Sequence, residues 1–160
     1  MPQLHDLIDA KKAELDRLRP LSHDALLHMQ KYDDVELTYT SNAIEGNTLT
    51  LRETSEVIEH GITVSGKPLK DHLEATDHYQ AVLWMRDIAS QPITLDEKIV
   101  CELHRRIVMR SAPEIAGAYS RYPRRIAGSA VVFPNPMKTP ELMMEFGRWL
   151  AAVTPTSATA

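Results

Sequence analysis

Residues that stop and start helices punctuate this chain at short intervals, and they constrain its fold more than any other feature. Apolar residues recur at helical spacing in successive segments, and Pro20, Gly46 and Gly61 each stand where such a segment ends. Proline interrupts the helical hydrogen-bond ladder, and glycine readily adopts the left-handed conformation that closes a helix. We therefore expect a mostly α fold with about six helices.

The expected helix starts share a side chain that can accept a hydrogen bond from the first turn, often with an acidic residue three positions later. The predicted helices cover 4–19, Ser22 or Asp24 to about Glu45, Thr50 (with Glu53) to Gly61, Asp71 (with Glu74) to about Ser90, Thr94 (with Glu97) to about Arg110, and Thr139–Pro140 onward.

Two segments favour short β-structure. Residues 62–69 alternate briefly around Ser65–Gly66, and residues 113–136 are rich in glycine, proline and β-forming residues. The sequence therefore predicts one or two short β-hairpins beside the helices.

Composition narrows the class of protein. The chain has 160 residues, a formal net charge of −4 and one cysteine, Cys101. A single domain is the default at this length, and one cysteine excludes an internal disulfide. No segment is apolar enough for a membrane span, and the first residues lack a signal-peptide pattern. We expect a cytoplasmic protein without membrane association or nucleic-acid binding.

The segment "TSNAIEGNTLTLRE", residues 40–53, places Ser41 and Glu45 four residues apart at the end of the second helix. Residues at this spacing share a helix face. One interpretation is a solvated last turn closed by Gly46 and Asn47. The other is that Glu45 is directed at a cation elsewhere, and the helix pattern by itself leaves both open.

Several motifs in order resemble the N-terminal portion of Fic-family proteins, over about residues 39–150. They are "SNAIEGNTLTLRE", "GKPLKDHLEATDHYQAV", "LHRRIV", "AGAYSR", "RRIAGSAVVFPNP" and "PELMMEFGRWL". Fic proteins often have asparagine where Asp77 stands and proline where Ala116 stands. The resemblance implies a Fic-like helical bundle with a β-hairpin flap.

The resemblance also implies a chemistry and a set of site residues. Fic proteins typically transfer AMP from ATP, with Mg²⁺, to a hydroxyl group of a target protein, and some carry an inhibitory helix. In that reading the inhibitory motif is Ser41, Glu45, Gly46 and Asn47. The flap that docks the target is Arg124, Arg125, Ile126, Ala127, Gly128 and Ser129.

The family's catalytic signature, His-Pro-Phe-x-Asp/Glu-Gly-Asn-Gly-Arg, does not occur in the 160 residues. We therefore expect no catalytic residue and no tightly bound ATP or Mg²⁺ in this chain, which would be a fragment or a truncated relative. Two functions remain open. The first is the autoinhibitory, target-docking portion of an adenylyltransferase, and the second is a non-catalytic module that binds or inhibits another Fic protein.

Domain organisation follows from the same comparison. We predict an N-terminal helical region (1–38), the N-terminal part of a Fic-like domain (39–153) and a flexible tail (154–160).

No metal site is expected, because His72 and His78 are six residues apart and face different sides of a helix.

The last helix carries a broad apolar stripe. Leu142, Phe146, Trp149 and Val153 recur at spacings of three and four. Because the helices that would follow in a complete Fic domain are not in this sequence, we expect the chain to self-associate through the 140–153 helix, to hold a partner chain, or to repack this helix onto another copy.

Overall fold

The structure, a computed structural model, describes residues 4–152. Its helices are α1 (Leu4–Asp16), α2 (His23–Ile44), α3 (Leu51–His60), α4 (Leu69–Ala89), α5 (Glu97–Val108) and α6 (Thr139–Ala152). A 3-10 helix, Pro136–Lys138, leads into α6. The mostly α class and the count of about six helices are confirmed over the described range. The expected tail at 154–160 and Val153 lie outside it.

Two of the predicted caps are present. Ser22 accepts a hydrogen bond from the Ala25 N–H at 3.2 Å. Thr50 and Glu53 form a reciprocal capping box at the start of α3, and Gly61 ends that helix in the left-handed conformation. Local sequence signals are therefore sufficient to place the start of α2 and both ends of α3.

Two other predicted caps are wrong. Helix α4 begins directly after Pro68, and Asp71 lies inside its first turn, where its carboxylate binds a distant loop instead. Helix α5 is capped by Asp96, which accepts from the Ile99 N–H at 2.9 Å, and not by Thr94.

Neither predicted hairpin is seen, since residues 4–152 contain no β-strand. At residues 62–69, the Val64 N–H donates to His72 Nε2 at 2.8 Å, so this donor is not available to a facing strand. In the second segment, the Val131 N–H is likewise bound by the Ser129 hydroxyl at 3.1 Å. Side-chain acceptors therefore bind two backbone N–H groups that the predicted hairpins would need for pairing between strands.

Helix α4 lies at the centre of the fold and packs against α2, α3 and α5, while α6 packs on α5. A small apolar cluster joins the loop before α3 to α3 and α4. It consists of Leu49, Val57 and Ala75, with Val64 against it. Helix α1 packs on no other described helix. The packing of α2 on α3 and α4 thus fixes the three helices relative to one another, which determines where the end of α2 lies.

The predicted domain boundary between residues 38 and 39 falls inside α2, which is continuous from His23 to Ile44. None of the helices within residues 4–152 combines the length and the apolar character that crossing a bilayer requires.

Candidate functional site

Helix α2 ends with a tight turn at Glu45 and Gly46. The Glu45 N–H donates to the Asn42 carbonyl at 3.1 Å, and the Gly46 N–H donates to the Ala43 carbonyl at 3.1 Å. Gly46 has φ +91°, a conformation that residues with a Cβ rarely adopt. The glycine therefore lets the chain leave the helix immediately after Glu45.

The two residues after this turn are anchored to the start of α4. Asn47 Nδ2 donates to the Asp71 carbonyl at 3.0 Å and to the Glu74 carboxylate at 3.1 Å. The Thr48 N–H and hydroxyl both donate to Asp71 Oδ2, at 2.8 and 2.5 Å. Asp71 is almost completely buried. The turn that carries Glu45 is thus fixed from its C-terminal side.

The Glu45 side chain itself is exposed. Within residues 4–152 its carboxylate makes no hydrogen bond and no ion pair, and it does not bond to the half-buried Ser41. It lies at the C-terminal end of α2, where the helix dipole adds negative potential. An exposed, unpaired carboxylate on a turn whose backbone is held in place is suited to attract a cation.

Two ion pairs, each between a buried carboxylate and a half-exposed arginine, hold the neighbouring helices around α4. Asp34 on α2 is 2.6 Å from the Arg86 guanidinium. Asp77 on α4 is 2.5 Å from Arg110 Nε and also accepts the Arg110 N–H at 3.2 Å. Both carboxylates are at most 2% exposed. These pairs fix α2 and the end of α5 on the two sides of α4.

His78 lies in the interface between α2 and α4. Its Nδ1 is 3.2 Å from the hydroxyl of Thr38, which is fully buried. Burial lowers the pKa of His78, because the charged imidazolium is poorly solvated there. The ring is therefore neutral near pH 7 and acts as a packing residue.

The other histidines and the cysteine noted in the sequence have structural partners. His72 bonds to the Pro68 carbonyl and the Val64 N–H, and His104 Nδ1 accepts the Gly117 N–H at 3.2 Å. Cys101 and Tyr119 line the same small cleft, and the neighbouring thiol together with burial raises the pKa of Tyr119, whose hydroxyl has no hydrogen-bond partner among the described residues, to about 12. Within the described range, no three His, Cys, Asp or Glu side chains are placed to hold a metal ion.

The predicted flap, residues 124–129, contains a four-residue turn. The Ser129 N–H donates to the Ile126 carbonyl at 3.2 Å, and Gly128 at the third position has φ +75°. This is the geometry of a turn that requires glycine. The tip of the flap is therefore formed, although its arms are not paired as strands, and Ile126 is exposed.

The segment that joins α5 to the predicted flap packs closely on α5. Gly117 has φ +71°, and a Cβ at this position would lie 3.1 Å from the Arg105 Cβ and 3.2 Å from the Cys101 carbonyl oxygen. Only glycine allows this approach without displacement of the neighbouring atoms. Farther along the chain, Arg124 Nε donates to the Ser120 hydroxyl at 3.3 Å.

The sequence patterns missed the anchor of Asn47 and Thr48 on Asp71 and the two ion pairs around α4. The one available signal was acidic residues, Asp34 and Asp77, standing among the apolar positions of helices. Such residues need a buried partner. Their arginines lie 52 and 33 residues away, so no spacing rule identifies them.

No family model matches the chain. Individual curated proteins do. A protein adenylyltransferase Fic of Drosophila yakuba is 32% identical over 143 residues, which cover 89% of this chain and 28% of the relative. The Drosophila melanogaster protein of the same name is 31% identical over the same shares. The chain thus spans a little over a quarter of the length of these relatives.

Solved structures share the fold. A Fic-domain-containing signaling protein of Bacteroides thetaiotaomicron superposes with a TM-score of 0.81 at 26% identity, over 89% of this chain and 55% of that one. A Caenorhabditis elegans Fic-1 fragment, residues 134–508, superposes with a TM-score of 0.73 at 24% identity, over 91% and 42% of the two chains.

Proposed function

The chain belongs to the Fic family, and from this premise we propose that it is the regulatory and target-docking portion of a protein adenylyltransferase. In the reaction, a target hydroxyl oxygen bonds to the α-phosphorus of ATP, pyrophosphate leaves, and the hydroxyl proton passes to a base. The family's histidine base belongs to a signature that these 160 residues do not contain. The part assigned to this chain is therefore control and docking.

The observation that carries the proposal is that Glu45 has a fixed backbone and an exposed, unpaired carboxylate. Its backbone is held by the end of α2 on one side and by the Asp71 anchor on the other, while its carboxylate is exposed and unpaired within the described chain. An arginine that meets this carboxylate can form a bidentate, charge-assisted pair. If that arginine is the one that positions the γ-phosphate of ATP, Glu45 inhibits transfer by occupying it.

The flap supports the docking role. Its tip is a formed turn, and residues such as Ile126 and Val132 are exposed beside it. We propose that a target segment pairs with this region as an added strand, which would order the flap into the hairpin predicted from sequence. The described residues offer no ligand cluster for Mg²⁺, so no part of the chemistry is assigned to a metal held here. A cytoplasmic location stays a prediction.

Labelled-AMP transfer tests the proposal. The protein expressed from its complete reading frame is expected to modify a target, whereas the purified 160-residue chain is expected to be inactive. Transfer by the purified chain that is absent from a mock purification would overturn the assignment of a purely regulatory role.

A second function remains a candidate because the unpaired Glu45 could also reach another protein. In this alternative the chain inhibits a separate Fic protein. Adding it to an active Fic adenylyltransferase that lacks its own inhibitory helix would reduce transfer, and a Glu45→Gln chain would not. No reduction with the unmodified chain would exclude the alternative.

A further inference from the structure

Two clefts lie side by side along the segments that flank the predicted flap, and Arg124 of the flap lines both. The first, here the cationic cleft, has a volume of about 450 Å³, and its charged and titratable lining is His104, Glu114, Tyr119, Arg121, Tyr122 and Arg124. The second, here the apolar cleft, has a volume of about 440 Å³ and is lined mainly by Phe133, Pro134, Pro136, Leu142 and Met143. Ser120, Tyr122 and Arg124 line both clefts, so one wall separates them.

The cationic cleft carries unpaired positive charge. Arg124 bonds through Nε to Ser120, which leaves the terminal guanidinium nitrogens without a partner in the described chain. Arg121 makes no ion pair there, and Glu114 is the one acidic side chain in the lining. Tyr119, with its pKa raised to about 12 by the neighbouring Cys101 thiol and by burial, is neutral and adds no negative charge. Because the whole chain is acidic, this local excess of positive charge favours an anionic ligand.

The apolar cleft offers the complementary chemistry. Phe133 and Leu142 line this cleft and are each about two-fifths exposed. Such a concave apolar site favours a large aliphatic or aromatic side chain. A free anion would leave this second cleft unused, so the pair of clefts together points to a peptide.

We infer that the two clefts recognise a target segment in which an acidic side chain and a large apolar side chain lie two residues apart. In an extended strand, residues i and i+2 project from the same face, about 6.5–7 Å apart. The acidic residue enters the cationic cleft and pairs with Arg121 and Arg124, and the apolar residue enters the neighbouring cleft. This inference deepens the proposed docking function and rests on it, since it names the class of target segment that the flap receives.

Peptide binding tests the inference without any AMP transfer. A fluorescein-labelled nine-residue peptide with a central Glu-Thr-Leu is titrated with the 160-residue chain, and anisotropy is followed. Replacing glutamate by glutamine or leucine by serine should each weaken binding about three- to tenfold. Arg121→Gln and Arg124→Gln should each weaken binding of the glutamate peptide by a similar factor and leave binding of the glutamine peptide unchanged.

Arg52→Gln is the matched control, because Arg52 is an exposed arginine on α3 without an ion pair and distant from both clefts in the chain. Equal binding of the Glu and Gln peptides would overturn the inference. Displacement by millimolar inorganic phosphate, combined with no effect of leucine-to-serine replacement, would also overturn it in favour of a simple anion site. Either result leaves the role of Glu45 untouched, so failure here is distinguishable from failure of the proposed function.

Discussion

The backbone N–H of Thr48 donates to the carboxylate of Asp71 at 2.8 Å, and the Thr48 hydroxyl donates to the same oxygen. The two residues are 23 positions apart, and this contact ties the loop after α2 to the first turn of α4. It fixes the position of Glu45, three residues before Thr48. The carboxylate of Asp71, which the local sequence pattern assigns to capping α4, therefore holds the end of α2 instead.

Removing this anchor should destabilise the chain. Asp71→Ala removes the nearly buried carboxylate that accepts from the Thr48 N–H and hydroxyl, and losing hydrogen bonds to a charged group costs about 1.5–3 kcal/mol. Urea unfolding followed by circular dichroism measures the change. Asp33→Ala, which alters an exposed residue of α2, is the control and should change the free energy of unfolding by less than about 0.5 kcal/mol. Equal effects of the two changes would show that the anchor is unimportant.

The two partners of the Asp77–Arg110 pair should respond unequally. Arg110→Ala leaves a carboxylate that is 1% exposed without its cation and should cost about 3–5 kcal/mol. Asp77→Asn keeps an acceptor for the Arg110 N–H, and the half-exposed Arg110 side chain can reach water, so the cost should be about 1 kcal/mol. Thermal or urea unfolding of both variants shows which of them loses more stability. A larger loss for Asp77→Asn would contradict this description of the pair.

Stability should fall as the pH drops below 6.5 because of His78. Burial holds the folded-state pKa of His78 below the ordinary value of 6.5, so the unfolded chain binds this proton first. The stabilisation is complete above pH 6.5 and decreases as the pH falls toward the folded-state pKa. His78→Gln should make the melting temperature depend less on pH between about pH 6.5 and 5. His5→Gln, at an exposed position, is the control and should leave the slope as it was.

The apolar face of α6 should drive self-association. Trp149 is 58% exposed and stacks on Phe146 with 5.8 Å between ring centroids, and Phe146 is itself 40% exposed. Covering such side chains contributes about 1.5–3 kcal/mol each. Light scattering over a dilution series should give a mass above 18.0 kDa, and Trp149→Glu should lower it. Val132→Glu, at an exposed apolar position outside α6, should not. A monomer at all concentrations would exclude this interface.

Local signals account for what the sequence could predict. Ser22, and Thr50 with Glu53, act within one helical turn, so their pattern and their contacts coincide. Asp71 has the same local pattern but a different partner, because α4 already begins after Pro68 and the Asp71 carboxylate accepts from Thr48. At Val64, alternation of β-forming residues predicted a strand, but the Val64 N–H donates to a histidine eight residues away. The Asp34–Arg86 pair spans 52 residues and depends on how the helices pack.

The role of Glu45 is tested most directly by labelled-AMP transfer with the protein expressed from its complete reading frame. Glu45→Gly and Glu45→Gln free the arginine that the carboxylate would occupy, and losing a charge-assisted pair of about 1.5 kcal/mol or more should raise transfer at least about tenfold. Glu36→Gln, at an exposed glutamate on the same helix, should leave the rate unchanged. Unchanged or lower transfer by folded Glu45 variants would contradict the assignment of this residue as the inhibitory glutamate.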